Sequence, residues 1–524
     1  EPSFVDSGWR NSQVMGISEH FEFVIPRFPF SDGGRFGDYI YKPSASVDGQ
    51  WNGVWGLVRA FDNPFTGAGD ERNEPVPLKV LPTNTDVTEP LPEGRLAGFN
   101  GVCPSLAPSR NYRIAVVSAL QALPNQTLIY NSRVGAAGNG PLHDPTALMY
   151  VHASDLDSQN RLLPGVPVEP LILRANAGDC IEITLENRIS HNLLDLPGAS
   201  KMPDIIKLLD PLTHATLLNF GADHVRPSEN VGLHAQLVAY DIRQADGNNA
   251  GFNPVQSVSP GGSRTFKWYA GKLRYDSSTG SLRATPMEYG AVGLTSSDPI
   301  KHTNKGLVGA LIIEPRGSTW TEDPGTRASA TVQPSFQPAF REHVLVVQND
   351  INLRYAPSSQ FNRYGRFVPN VTVSENAAES GHPAYNYRTE PVWFRLGYDP
   401  DIPLQQVADR NDLDTAFLDA TVGARPETPI FRSERGTPVR MRVVHPGGHA
   451  QNHTFSVYGH NWQELPWSNG STRMASNPFS EIKGFRDGLG ATGHWNMILE
   501  HGAGGPFQVP GEYMYRDLVP WYLS

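Results

Sequence analysis

An all-β fold of sandwich-type domains is what this sequence predicts, on three observations. Strand-like runs rich in β-branched and aromatic residues recur along the chain, several with period-two alternation. The chain holds 50 glycines and 45 prolines, a density that suits many turns and long loops and works against helical bundles. Helical periodicity is scarce, and NDLDTAFLDAT (411–421) is the best short helix candidate.

The expected strands follow in order. EHFEFVIP (19–26) and PLILRA (170–175) are apolar runs bounded by Pro and Gly. CIEITLEN (180–187) alternates, with Ile181, Ile183 and Leu185 on one side and Glu182, Thr184 and Glu186 on the other. RTFKWYA (264–270), GALIIEP (309–315), REHVLVVQND (341–350) and PVRMRVVHP (438–446) complete the set. Segments near 62–108, 190–230, 316–340 and 355–430 are polar and rich in Pro, Gly and Ser. The first and third read as domain boundaries, the others as decorated loops.

Composition bounds the function. At roughly 100–200 residues per domain, 524 residues suggest two to four domains. An apolar content of 39% with 10% aromatics supplies real cores and excludes global disorder. A net charge of −10 without long single-sign runs disfavours nucleic acid as a partner. No segment approaches the ~18 apolar residues needed to span a bilayer, so no membrane span is expected. A start at Glu1 rather than Met suggests a processed or excised product. Sequons at Asn125, Asn370, Asn452 and Asn469 are compatible with secretion. Cys103 and Cys180 form a disulfide if the protein is exported, or are two unpaired buried thiols.

Residues 16–41 can be laid over 491–515 so that His20 falls near His494 and two Gly-acid-Tyr-x-Tyr motifs, GDYIY and GEYMY, coincide. The first copy continues into WNGVWGLVRAF, which reads as one more strand, and the second stops before one. The expected organisation is a C-terminal half-domain at 1–62, a linker at 63–108, a domain with long insertions at 109–316, a linker at 317–340, and a domain at 341–524 lacking its last strand. Such a domain exposes an open sheet edge, which predicts an extensive contact with another domain or subunit.

Several segments, in order, resemble the multicopper oxidase family. ANAGDCIEITLEN (175–187) resembles a strand that opens a cupredoxin domain, and ENVGLHAQ (229–236) the segment that carries a His-x-His pair. VSPGGSRTFKWYA (258–270) and KHTNKGLVGALIIEP (301–315) resemble a Pro-Gly-strand element and a domain-ending strand. HTFSVYGHNW (453–462) resembles the His-Pro-x-His-x-His-Gly-His stretch of a last domain, and PGEYMYRDL (510–518) the Pro-Gly-x-Trp-x-Phe-His-Cys-His stretch that follows it. GDYIY…GVWGLVRAF and LHDPTALMYVHASD (142–155) resemble large multidomain bacterial manganese-oxidase-like members. The resemblance implies tandem cupredoxin-like Greek-key β-sandwiches. It also implies an activity: one-electron oxidation of Mn(II), Fe(II) or a small reductant coupled to dioxygen, with copper as cofactor.

At the positions that carry that chemistry, the residues depart. A type 1 copper takes two His, one Cys thiolate and a weak axial group, because thiolate and imidazole tune its potential. Asp517 stands where the thiolate belongs, flanked by Arg516 and Leu518, and Pro43 stands there near the N-terminus. His453 survives, but Ser456 and Tyr458 occupy the two trinuclear-cluster positions that follow it. His234 survives with Gln236 in place of its partner, and PMEYGAVGL (286–294) holds no His. The expectation is a chain without a complete type 1 or trinuclear site, with copper in the full assembly held by partner domains or subunits, in an extracellular or cell-envelope setting. The alternative is a copper-free structural or binding module.

The remaining metal candidates are His445, His449 and His453 in HPGGHAQNHTFSVYGH, and His234 with His302. His453 and His460, seven residues apart, face opposite sides of a regular strand and would not chelate together. His143, Asp144, His152 and Asp155 would suit Zn, Cu or Mn(II), against a loop with an Asx-type turn at HDP. No Gly-x-Ser-x-Gly elbow or nucleotide-binding glycine motif is present.

Overall fold

A computed structural model describes residues 12, 20, 36–42, 50–51, 53–61, 98–135, 139–190, 225–276, 281–356, 367–368, 382–398, 413–448, 453–467, 471–478 and 480–517. Their architecture is the expected all-β one, in two consecutive cupredoxin-like sandwiches. The strand expected at 19–26 lies outside the described residues.

An antiparallel hairpin comes first, β1 (Phe36–Tyr41) with β2 (Gly56–Phe61). Asp38 docks it on the first sandwich by accepting the Phe252 N–H at 2.6 Å. Gly251 has to be glycine there: its φ is +50°, and a Cβ would lie 1.9 Å from the Asp38 carboxylate.

The first sandwich uses β3 (Ser109–Ser118), β4 (Leu148–His152), β5 (Leu171–Asn176), β6 (Cys180–Asn187), β7 (His234–Ala235), β8 (Ser263–Tyr269), β9 (Gly290–Thr295) and β10 (Gly309–Glu314). One sheet runs β8-β6-β3-β4 and the other β7-β9-β10-β5. Pairing is parallel at β3/β6 and β5/β10, and antiparallel elsewhere. Alternation in β6 does what the sequence predicts: Ile181, Ile183 and Leu185 are fully buried with Phe266 and Trp268 in the inter-sheet core.

The second sandwich uses β11 (Thr319–Glu322), β12 (Ser329–Gln333), β13 (Phe340–Ile351), β14 (Val439–Val444), β15 (His453–Val457), β16 (Phe485–Leu489), β17 (His494–Ile498) and β18 (Tyr515–Asp517). One sheet runs β11-β12-β13-β14-β17, with β13 and β14 parallel, and the other β16-β15-β18.

The long apolar run of β13 has a structural cause. Leu345 and Val347 point into the second sandwich's own core, while Val344 and Val346 pack with Ala310 and Ile312 of the first. Both faces are buried, so the polar half of a normal alternation is missing. At ~1.5–3 kcal/mol per buried aliphatic side chain, this shared strand is a large part of what joins the sandwiches.

Three expectations are corrected. Residues 317–340, read as a linker, contribute β11 and β12. Thr319 and Thr321 are exposed, and the buried start of β12 is held by the small Ser329 and Ala330, which together gave the stretch a loop-like composition. Residues 98–108, also read as linker, hold a small hairpin, Phe99–Asn100 with Cys103–Pro104. A Cys103–Cys180 disulfide staples it to the start of β6. The helix expected within 411–421 is a 3₁₀ turn at Leu413–Thr415 and one α-turn at Asp419–Val422, capped by Gly423 at φ +68°. One turn is too short to persist on its own propensity.

Candidate functional site

His445 and His453 arrive from different places. His445 follows the last residue of β14, and its main chain is fixed to the 490–493 turn through Gly493 and Thr492. His453 opens β15. Their rings lie 5.3 Å apart, centre to centre. Asn349, near the end of β13, bridges them: its carbonyl accepts from His453 Nε2 at 2.9 Å, and its amide donates to His445 Nε2 at 3.0 Å. On the other side of His453, Nδ1 meets the Asp517 carboxylate. Asp517 ends β18, where Phe455 lies opposite it, and its second oxygen accepts the Thr454 N–H at 3.0 Å.

The result is a buried chain, Asp517–His453–Asn349–His445, none of whose members is more than 7% exposed. Its proton positions follow from its partners. His445 accepts through Nε2, so its own proton sits on Nδ1. His453 donates through Nε2, and a proton also lies between its Nδ1 and the Asp517 carboxylate. Burial first, and then the neighbouring His453 ring, holds His445 well below the ordinary imidazole pKa, hence neutral.

This arrangement does not fit a type 1 copper. Asp517 offers a hard carboxylate where such a site takes a soft thiolate, and both nitrogens of His453 are already bonded. Among the described residues, no group of three or more His, Cys, Asp or Glu could hold a metal ion. His449 lies outside the described residues. His460 lies beyond β15, after the turn that follows Val457: Nδ1 contacts the Tyr458 carbonyl at 3.1 Å and Nε2 accepts the Gly504 N–H at 3.1 Å. Ser456 is buried and Tyr458 is 40% exposed.

The other candidates have local employment. His234 lies opposite Thr295, and His302 bonds Ser296 at 2.7 Å, so the fold brings them near each other. Yet His302 also contacts the Ser228 carbonyl at 2.9 Å, and His234 Nδ1 is held by the Asp246 carbonyl at 2.8 Å and carboxylate at 3.1 Å. Asp144 makes the Asx-type turn, accepting from Thr146 N at 2.7 Å and Thr146 Oγ1 at 2.6 Å. His143 contacts Thr127 Oγ1 at 2.7 Å. Asp155 pairs with Arg327 at 2.8 Å. His143 and His152 are both pushed down to about 4, chiefly by burial.

Asn349 escaped the sequence reading. The only signal it offers is an amide placed inside an otherwise apolar strand run.

No family model matches the sequence, and no curated protein does. Solved structures of similar build include the multicopper oxidase mgLAC, 12% identical, covering 79% of this chain and 81% of that one at TM-score 0.37. A blue copper oxidase from Nitrosomonas europaea is 13% identical over 79% and 80% at TM-score 0.35. A further multicopper oxidase is 13% identical over 78% and 84% at TM-score 0.38. At this distance no residue's role passes from them to this chain.

Proposed function

We propose that this chain is a section or subunit of a multicopper-oxidase-type oxidoreductase, serving as scaffold rather than as the carrier of electrons. The assembly would oxidise Mn(II), Fe(II) or a small reductant with dioxygen, through copper held in neighbouring cupredoxin domains or subunits. One observation carries this reading: the surviving histidine of the type 1 pattern, His453, is bonded on one side to the carboxylate that replaces the thiolate and on the other to Asn349. The Cys103–Cys180 disulfide supports an oxidising, extracellular or cell-envelope setting.

The test is copper titration of the purified chain, with metal analysis and absorption spectroscopy, beside the native assembly. The chain alone is expected to retain no stoichiometric copper and no intense blue thiolate–copper band, while the assembly shows both and a native mass above 57.5 kDa. Stoichiometric copper in the chain alone would overturn the scaffold role. An assembly of native mass without copper would leave the second reading, a copper-free binding module.

A further inference from the structure

Four charged side chains meet in the packing face between the sandwiches, one from each of four strands: Arg174 (β5), Glu314 (β10), Glu342 (β13) and Arg442 (β14). None is more than 2% exposed. Glu342 is bracketed by guanidiniums, accepting from Arg174 Nε at 3.0 Å and from Arg442 Nε at 3.1 Å. Glu314 is placed differently. Those two arginines approach it only to 3.9 Å, and neither of its oxygens accepts an N–H. Glu342 is the carboxyl beside it, held by the same two arginines.

A fully buried carboxylate that no donor reaches keeps its charge only at a large desolvation cost, so one of these two carboxyls takes a proton. Glu342, with two guanidinium donors, is the member that keeps its charge. The surroundings agree. Arg174 also bonds Glu322 of β11 at 3.0 Å, and Arg440 of β14 bonds Glu288 at 2.6 Å. Arg442 also donates to Asn496 of β17 at 2.9 Å. With Glu314 neutral, four guanidiniums (Arg174, Arg327, Arg440, Arg442) face four carboxylates (Asp155, Glu288, Glu322, Glu342). With Glu314 ionised, a fifth negative charge would sit buried without a donor, which is strongly unfavourable.

We propose that Glu314 carries a structural proton, by which it sits neutral in the packing face and latches the two sandwiches together. Burial first, and then the Glu342 charge, raises Glu314 well above the carboxyl range. Burial opposes the charge on Glu342, but Arg174 and Arg442 outweigh it and hold Glu342 below that range. The sign follows for Glu314. Its folded pKa exceeds its unfolded one, so its contribution is complete below the unfolded value and is lost as pH rises toward the folded one. This latch is independent of the copper reading.

The test uses the full chain and two isosteric variants, Glu314→Gln and Glu342→Gln, unfolded by denaturant from pH 5 to 9. Glutamine reproduces the neutral donor. The ratio of folding equilibrium constants, Glu314→Gln over wild type, is expected to rise about tenfold per pH unit from pH 5 upward. A ratio that stays flat or falls would overturn the proposal. Infrared spectra at pH 7 should show the carbonyl stretch of a protonated carboxylic acid in the wild type and lose it in Glu314→Gln. Its absence from the wild type would overturn the proposal even if the variant fails to fold. Glu342→Gln is expected to fold less well, since two arginines lose their counter-ion. If instead Glu342→Gln shows the rising ratio and Glu314→Gln does not, the proton belongs to Glu342. Amide exchange across 309–314 and 340–351, corrected for intrinsic rates, should quicken with pH in the wild type and not in Glu314→Gln. Equal quickening in both would refute the latch.

Discussion

Replacing Asp517 by Ala removes the anchor of the buried Asp517–His453–Asn349–His445 chain. Three consequences can be summed. The His453 Nδ1 proton loses its carboxylate, the Thr454 N–H loses its acceptor at 3.0 Å, and a small void opens beside β15. A buried donor left without a partner costs about 1–3 kcal/mol. Breaking one side of a buried charged pair costs about 3–5 kcal/mol in all. With His453 3% and Asp517 7% exposed, little water can compensate. The expected loss is therefore about 4 kcal/mol of folding stability, read as a shift in denaturant midpoint at unchanged slope. A double-mutant cycle with His453→Leu isolates the pair. If the reasoning holds, the double variant recovers about 2 kcal/mol of the summed single losses, because no imidazole is left without its carboxylate, while the Asn349 carbonyl loses its donor in both variants that carry the leucine. A loss under about 1 kcal/mol for Asp517→Ala, or a coupling within about 0.5 kcal/mol of zero, would refute it.

Other outcomes follow from the same coordinates. Serine at both Cys103 and Cys180 opens a closure spanning 77 residues. Chain entropy puts the loss near 4.5 kcal/mol in denaturant unfolding, and reductant should reproduce it in the wild type. His343 of β13 is pushed down to about 4, first by burial and then by Arg341. Its folded pKa lies below its unfolded one, so its contribution is present above pH ~6.5 and lost as pH falls toward 4, about 3 kcal/mol in total. Acid titration of His343→Gln should show one proton less in the slope over that interval, and an unchanged slope would count against a neutral His343.

Much of the fold was legible because strands announce themselves locally. The bounds of CIEITLEN coincide with those of β6, and GALIIE, VLVVQND and VRMRVV all fall in strands, since pleat and burial impose their pattern on neighbouring residues. Short strands built from small and polar residues gave no such pattern, which is why β11 and β12 read as linker. The site divided in the same way. Asp517 drew notice through the resemblance of the stretch around it to a family motif, and His445 and His453 stood out as rare residues close in sequence. Asn349, about a hundred residues upstream, carries no mark in the chain that it will sit between their rings.

The amino-acid order alone determined the β architecture and the absence of a cysteine at either motif position, because both are properties of short stretches. Tertiary structure alone decided that Asp517 closes on His453, that Asn349 links two imidazoles, and that Arg174, Glu314, Glu342 and Arg442 converge in a buried packing face. Those contacts join residues 64, 104 and up to 168 positions apart. Their energies depend on burial and on the partner's charge, and neither quantity exists until the sheets have packed.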